Sequence, residues 1–236
     1  MTKNISLLHP SWGRPELAKK CHNEWMSKAE HKENIEYILC LSLKDPTLEQ
    51  YKEKFSTQDV RIVFMEDNGL VKQVNHAAQL SIGNLIIAIS DDFGCPLKWD
   101  QQLLTSLNGR VDYAVKTQDG LQPWIMTLPM MDRAYYQRFN YIYHPSYTHM
   151  WGDTENAHVA DFLGKTINLP ILFPHRHYIT GINQKDIVNI ENDKSMSSGQ
   201  KIYLERLKTN FGIENPLPVK MPVHHKQYFT RKGIKM

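Results

Sequence analysis

Two adjacent carboxylates, Asp91 and Asp92, closely follow a run of five apolar residues at positions 85–89. Such a run is typical of a strand that is covered on both faces, as in a parallel sheet. Open α/β sheets bind their ligands at the carboxyl edge, where this pair would emerge. Neighbouring acids repel each other unless a cation relieves them, so the pair could hold a divalent metal ion. It could equally open a solvated turn or cap the next helix.

Two further polar clusters, at residues 152–155 and 175–177, lie at the ends of other predicted elements. The first cluster, Gly-Asp-Thr-Glu, opens an amphipathic helix, where Asp153 is suited to cap the N-terminus. The second cluster, His-Arg-His, directly follows a short apolar strand and a proline. Its Arg176 presents a fork of donors that matches phosphate oxygens.

Strand and helix patterns alternate through the first ninety residues. They predict strands at 5–8, 35–43, 60–65 and 85–89, with helices at 15–26, 48–55 and 71–83 between them. This alternation favours a parallel, doubly wound sheet with right-handed crossovers. No Gly-x-Gly-x-x-Gly follows the first strand and no Gly-Lys-Ser/Thr occurs, which argues against dehydrogenases and P-loop enzymes.

The second half of the chain has a less regular pattern. It predicts helices at 99–107, 132–139, 152–163 and 196–211 and strands at 111–116, 124–128 and 171–173. We expect one domain over residues 1–212, with halves at 1–98 and 99–212, followed by a tail at 213–236. From residue 216 onward the tail has five basic residues and no acid, which suits either an anionic partner or a solvated chain end. The five are Lys220, Lys226, Arg231, Lys232 and Lys235.

The composition predicts a cytoplasmic protein. The 236 residues carry a mild net charge of +3, and neither a signal stretch nor a membrane-spanning run is present. The three cysteines are too few and too widely spaced for a disulfide framework or a zinc ribbon.

In their order and setting, the polar clusters resemble those of GT-A fold glycosyltransferases. The shared features are the turn at 10–14, the segment from Asn68 to Asn75, the Asp91-Asp92 pair and the clusters at 152–155 and 175–177. The resemblance covers about residues 4 to 210 and is to family-2-like enzymes that use nucleotide-diphosphate sugars. It implies a doubly wound, Rossmann-like mixed sheet flanked by helices, with a C-terminal extension.

The resemblance also implies roles for the three clusters. Asp92 would hold Mn²⁺ or Mg²⁺ on the donor diphosphate, which neutralises the charge that builds on the leaving nucleotide. The metal would receive a histidine from the late loop, either His175, which we favour, or His177. Asp153 would be the general base that deprotonates the acceptor hydroxyl, with Glu155 in reserve.

The same match implies a set of donor-binding residues. They are Pro10, Ser11, Arg14, Ser42, Asp45, Asn68, Asn75, Asp91 and Arg176. Two positions depart from the pattern, because Ser42 replaces the usual base-reading acid and Val74 replaces a basic residue. The nucleotide therefore stays open, with a UDP-sugar favoured. Trp124 and Trp151 are predicted to stack on acceptor sugar rings.

The leading hypothesis is a metal-dependent glycosyltransferase that inverts the anomeric centre, with retention left open. Its acceptor would be a carbohydrate or a hydroxymethylated base in DNA, because compact chains with a similar start resemble those of bacteriophage-like genomes. One alternative is a sugar-nucleotide nucleotidyltransferase, although the turn at 11–14 lacks the expected glycines. Another is an inactive GT-A binding module. The oligomeric state is open.

Overall fold

A single mixed sheet forms the centre of the protein, which we describe from a computed structural model that covers residues 4–56, 59–66 and 69–218. Its strands are β1 (Ile5–Ser11), β2 (Ile35–Ser42), β3 (Arg61–Met65), β4 (Leu85–Ala88), β5 (Ala114–Gln118), β6 (Met130–Asp132) and β7 (Thr166–Leu172). Their spatial order is β3-β2-β1-β4-β6-β5-β7. Only β6 runs antiparallel to its neighbours. The predicted mixed α/β sheet is confirmed.

Eight α-helices pack around this sheet in the described part of the chain. They are α1 (Pro15–Lys28), α2 (Leu48–Phe55), α3 (Leu70–Leu80), α4 (Trp99–Ser106), α5 (Arg133–Gln137), α6 (Gly152–Phe162), α7 (Ile187–Asp193) and α8 (Met196–Leu207). Short 3-10 turns lie at Lys32–Asn34, Tyr178–Thr180 and Asn210–Gly212. None of these helices has the length and apolarity needed to cross a membrane.

Buried apolar side chains fill both faces of the sheet, because successive strand residues point to opposite sides. Leu7 and Ile87 belong to the core beneath α1, α2 and α4, whereas Leu8 and Ile86 belong to the core beneath α3, α5, α6 and α8. The Trp25 indole in the first core donates to the carbonyl of Phe93 at 3.0 Å. This bond fixes the segment that follows β4, where the acidic pair lies.

The strand order reverses between β1 and β4. After β1 the chain adds β2 and β3 on one side and then crosses back to place β4 on the other side. A crevice forms at such a switch point, outside the carboxyl ends of the two strands. Because β5 and β7 run in the same direction as β4, their carboxyl ends reach the same edge.

Three details of the second half differ from the sequence prediction. The predicted strand at 124–128 is wrong, because these residues form turns and the strand is the three-residue β6. The helix predicted to reach residue 211 ends at Leu207 and is followed by a separate 3-10 turn. Helix α7 was missed, although its capping box of Asp186 and Asn189 is a sequence signature of a helix start.

The C-terminal segment leaves the domain beside α6, where the Leu217 N–H donates to the Phe162 carbonyl at 2.8 Å. Residues 219–236, which carry the basic tail, and the predicted donor ligand Asn68 lie outside the described residues.

Gly83 allows a close approach of the α3–β4 turn to β1. A Cβ atom at this position would lie 2.5 Å from Ser6 Oγ and 2.7 Å from the Ile5 carbonyl carbon. We therefore predict that Gly83→Ala lowers the free energy of unfolding by about 1–3 kcal/mol, because backbone must move to admit the methyl group. Denaturant unfolding measures this change.

Gly69→Ala is the matched control, because a Cβ there meets only the Thr148 carbonyl at an ordinary 3.8 Å. Equal unfolding midpoints for the two variants would contradict the steric explanation.

Candidate functional site

The Asp91 carboxylate ties the carboxyl ends of β1 and β4 together. Its Oδ1 accepts from Ser11 Oγ at 2.7 Å and from His9 Nε2 at 2.9 Å. The other ring nitrogen of His9, Nδ1, hydrogen-bonds to the Tyr37 hydroxyl, so the imidazole bridges Asp91 and Tyr37. Tyr51 supports Ser11 in turn at 2.7 Å. The sequence analysis missed His9, Tyr37 and Tyr51, whose roles depend on strand neighbours.

Asp92 meets His175 across the crevice. Its Oδ2 lies 3.3 Å from His175 Nε2, and its Oδ1 accepts from Ser90 Oγ at 2.7 Å. Burial raises the pKa of Asp92, but the hydrogen bonds from His175 and Ser90 outweigh this effect and lower the pKa below its ordinary value. Asp92 is therefore anionic near neutral pH.

Backbone pairing and ring stacking hold His175 in this position. An isolated antiparallel bridge joins it to Phe93, and the two rings stack at 4.2 Å between centroids. The second predicted histidine, His177, packs with its ring 5.2 Å from that of His175, and its Nδ1 accepts from the Ile179 N–H at 3.4 Å. This geometry favours His175 as the partner of Asp92.

One carboxylate oxygen and one imidazole nitrogen are a partial ligand set for a divalent ion. Among residues 4–56, 59–66 and 69–218, no group of three or more His, Cys, Asp or Glu side chains is arranged to hold a metal. Mg²⁺ in proteins commonly uses one or two carboxylates and completes its shell with water and substrate phosphates. The pair thus fits an ion that arrives with a phosphorylated ligand.

Asp153 occupies the first turn of α6, close enough to His175 for the imidazole to lower its pKa slightly. Burial dominates, however, and raises the pKa of Asp153 above its ordinary value. The Oδ1 atom accepts from the Thr154 N–H at 2.8 Å. Asp153 is not the N-cap of α6, which is Trp151, so the helix-cap prediction is wrong in this respect, although its carboxylate binds a free N–H of the first turn. Its raised pKa suits a general base.

Arg14 and His149 complete the polar surroundings of the acidic pair. Arg14 donates to Asp186, the first residue of the α7 capping box, at 2.7 and 2.6 Å, and lies 4.0 Å from Asp91 Oδ2. Burial and the charge of Arg14 lower the pKa of His149 to about 4. The sequence had not indicated His149, whose loop precedes α6.

Comparison with solved structures identifies the architecture. A mannosyltransferase from Pyrobaculum calidifontis, solved with GDP-Man and Mn²⁺, is 10% identical with a TM-score of 0.59; the match covers 98% of this chain and 80% of that chain. TarS 1–349 from S. aureus, solved with UDP, is 12% identical with a TM-score of 0.62 and coverages of 89% and 72%. The chain has the GT-A fold.

A longer TarS chain also matches, at 12% identity and a TM-score of 0.61, and this chain spans 43% of its length. No family model matches the sequence, and no curated protein is similar to it in sequence. At these identities the likeness establishes the GT-A fold, and the chemistry must be argued from the side chains described above.

Several residues that were predicted to bind the sugar donor pack against or hydrogen-bond to other residues of the protein. Pro10 is buried in β1 opposite Cys40, and Ser42 is buried at the end of β2, where its hydroxyl accepts from the Lys44 N–H. Asp45 accepts from the Gly13 N–H at 2.8 Å, which joins the loops that follow β1 and β2. These residues lie at or just beyond the carboxyl ends of β1 and β2.

Asn75 and Arg176 also form hydrogen bonds to other parts of the protein. The Asn75 amide oxygen accepts from the N–H groups of Ile142 and Tyr143, and its nitrogen donates to the Tyr143 carbonyl. Arg176 donates to both oxygens of Glu24 on α1 at 2.7 Å. Burial raises the pKa of Glu24, but the hydrogen bonds from Arg176 and Lys28 outweigh this effect and lower the pKa to about 2.

The two predicted sugar-stacking tryptophans lie in different settings. Trp151 is the left-handed N-cap of α6, and its indole packs on Tyr203 of α8 at 5.0 Å and donates to Met196 Sδ. Trp124 is half-buried in the turns between β5 and β6. These turns follow the carboxyl end of β5.

Glu155 is buried and fully engaged. Arg206 on α8 donates to its two oxygens at 2.8 and 2.9 Å, and the Tyr147 hydroxyl donates at 2.7 Å. Glu155 therefore joins α6 to α8, which is a structural role and does not require chemistry at the crevice.

We predict that Arg206→Ala destabilises the protein by about 3 kcal/mol, because it leaves Glu155 buried without its charge partner. Chemical denaturation measures the change. Lys208→Ala is the control on the same helix end, since the exposed Lys208–Glu205 pair contributes about 0–1 kcal/mol. Similar losses in both variants would show that Glu155 does not depend on Arg206.

Proposed function

We propose that this chain is a metal-dependent glycosyltransferase that moves a sugar from a nucleotide-diphosphate donor to an acceptor hydroxyl. The observation that carries the proposal is the convergence of the Asp92–His175 pair and the N-terminus of α6, with Asp153, at the switch-point crevice. Their setting in a GT-A fold supports the same chemistry.

Asp92 and His175 are the residues that would hold Mn²⁺ or Mg²⁺. Asp92 would supply a carboxylate oxygen and His175 a ring nitrogen to an ion held between them. When bound, the ion would neutralise negative charge on the departing diphosphate. The mannosyltransferase that shares the fold was solved with Mn²⁺, which supports the choice of ion.

Asp153 would act as the general base. It would accept the proton of the acceptor hydroxyl while the oxygen attacks the anomeric carbon and the bond from that carbon to the diphosphate breaks. A single displacement of this kind inverts the anomeric configuration. The raised pKa makes Asp153 a stronger base than an ordinary aspartate.

Arg14 and Asp91 are the proposed donor contacts. The Arg14 guanidinium lies at the crevice between Asp91 and Asp186, where a diphosphate could replace one carboxylate as its partner. We propose a UDP-sugar as donor, because TarS 1–349 was solved with UDP and with UDP-GlcNAc. GDP-Man, present with the mannosyltransferase, is the alternative to include in an assay.

We predict that Asp153→Asn lowers the rate of sugar transfer by about 10²- to 10⁴-fold, because the amide cannot accept a proton. Release of nucleoside diphosphate from UDP-GlcNAc, UDP-Glc and GDP-Man, with Mn²⁺ or Mg²⁺, measures the rate. Wild-type protein that neither binds nor turns over any sugar nucleotide would refute the proposed function and favour a nucleotidyltransferase or an inactive module.

Asp161→Asn is the control, since Asp161 lies near the far end of the same helix and accepts from Thr166. The wild-type rate should fall as the pH is lowered through the raised pKa of Asp153, because protonation removes the base. The residual activity of Asp153→Asn should lack this acid limb. Near-normal turnover of Asp153→Asn would indicate a retaining mechanism.

For the acceptor, we propose a hydroxymethylated base in DNA, with a carbohydrate as the alternative. The support is the charge of the C-terminal tail, which has five basic residues and no acid. We predict that replacing all five by glutamine weakens DNA binding and reduces its salt dependence, because each lost phosphate contact removes about 0.9 from the log–log salt slope.

Fluorescence anisotropy with a short duplex, at several salt concentrations, measures this effect. Nucleoside-diphosphate release without acceptor is the control and should be unchanged in the glutamine variant. Transfer to a carbohydrate that is equally fast with both proteins would point to the alternative acceptor.

A further inference from the structure

Asp119 is a buried carboxylate at the carboxyl end of β5 that the proposed chemistry has not used. Its Oδ1 accepts from the N–H groups of Leu121 and Gln122 at 2.6 and 2.7 Å. Its Oδ2 accepts from Thr127 Oγ1 at 2.7 Å. The side chain is only 4% exposed, so the carboxylate is held rigidly against the edge of the sheet.

His175 lies between Asp119 and Asp92. Its Nε2 is 3.3 Å from Asp92 Oδ2, and its Nδ1 is 4.0 Å from Asp119 Oδ2. The backbone supports this arrangement, because the His175 N–H donates to the Asp119 carbonyl at 2.9 Å. The Nδ1 atom is buried and has no hydrogen-bond partner within the described residues.

A metal-binding histidine needs an acceptor for the proton on its other nitrogen. If Nε2 directs its lone pair at an ion beside Asp92, the ring proton lies on Nδ1, and a buried N–H without a partner is costly. Metal-bound histidines usually donate this N–H to a carboxylate or carbonyl, which fixes the orientation of the ring. The Asp119 carboxylate, whose Oδ2 lies 4.0 Å from Nδ1, is an acceptor on that side of the ring.

We infer that Asp119 is a positioning residue that accepts the Nδ1–H of His175 and thereby holds Nε2 toward Asp92. This inference rests on the proposed function, because it assigns Asp119 to the same metal site. The competing explanation is that Asp119 only ties the turn at 119–127 together.

Asp119→Asn separates these explanations. The amide oxygen of the asparagine can still accept from the N–H groups of Leu121 and Gln122, so the turn is retained. The amide NH₂ group, however, cannot accept a hydrogen bond from the Nδ1–H of His175. We expect the affinity for Mn²⁺ in the presence of UDP to fall by about 10- to 100-fold. Titration of the full chain followed by electron paramagnetic resonance of free Mn²⁺ measures the affinity without any need for activity.

A double-mutant cycle shows whether the effect passes through His175. Asp119→Asn should have no further effect on Mn²⁺ affinity in a His175→Gln background, because the group that it positions has gone. An equal loss in both backgrounds would indicate a general structural role and overturn the inference. Unchanged affinity of the single Asp119→Asn variant would overturn it as well.

Thr127→Val provides the matched control, since it removes a hydrogen bond to the same oxygen but keeps the carboxylate. It should retain Mn²⁺ affinity, and a loss as large as that of Asp119→Asn would assign the effect to the turn. Asp119→Ser supplies the test if the asparagine variant does not fold, because a hydroxyl can still accept from the turn N–H groups. Absence of Mn²⁺ binding by the wild type with UDP would instead refute the proposed metal site itself.

Discussion

A buried carboxylate must have its hydrogen bonds satisfied, and at Asp91 this requirement organises the whole crevice. The charge lies beneath the surface between β1 and β4, so that its oxygen depends on donors from the end of β1. Those donors depend in turn on Tyr37 of β2 and Tyr51 of α2. The network fixes the end of β4 and thereby the adjacent Asp92, which points to His175.

The same requirement distinguishes acids that support the structure from one that is available for chemistry. Glu155 and Asp132 are buried, and each accepts several hydrogen bonds from other parts of the chain. Asp153 accepts from its own neighbour Thr154, and burial raises its pKa. Acids that look alike in the sequence therefore differ in the number of their long-range donors, which only the folded chain determines.

The elements that the sequence predicts well are those whose signals are local. The alternation of apolar runs and helical faces located the parallel half, and Pro15 marked the start of α1 correctly. The three-residue β6 was misplaced, since a segment this short carries no periodicity and is stabilised by its pairing with β4 and β5. Local patterns also located both Asp92 and Asp153, although their roles stay predictions.

The hydrogen-bond and ion-pair partners of the crevice residues could not be predicted from local sequence patterns. Nothing local relates His9 to Asp91, Arg14 to Asp186 or Asp119 to His175, because only the tertiary fold brings each pair together. The resemblance suggested Asn75 and Arg176 as donor ligands, whereas the structure shows their hydrogen bonds to Tyr143 and Glu24. The position of a polar residue in the sequence does not by itself reveal which face of its helix or strand the side chain occupies.

The late position of β7 in the chain has a consequence for the order in which the sheet can form. The parallel half, β1 to β4, consists of consecutive units that can pair soon after they are synthesised, but β5 acquires its outer partner β7 only from residues 166–172. Contacts between distant parts of a chain form slowly, because loop closure opposes them. The contact between Asp92 and His175 joins two such distant parts, so we expect this side of the crevice to form late in folding.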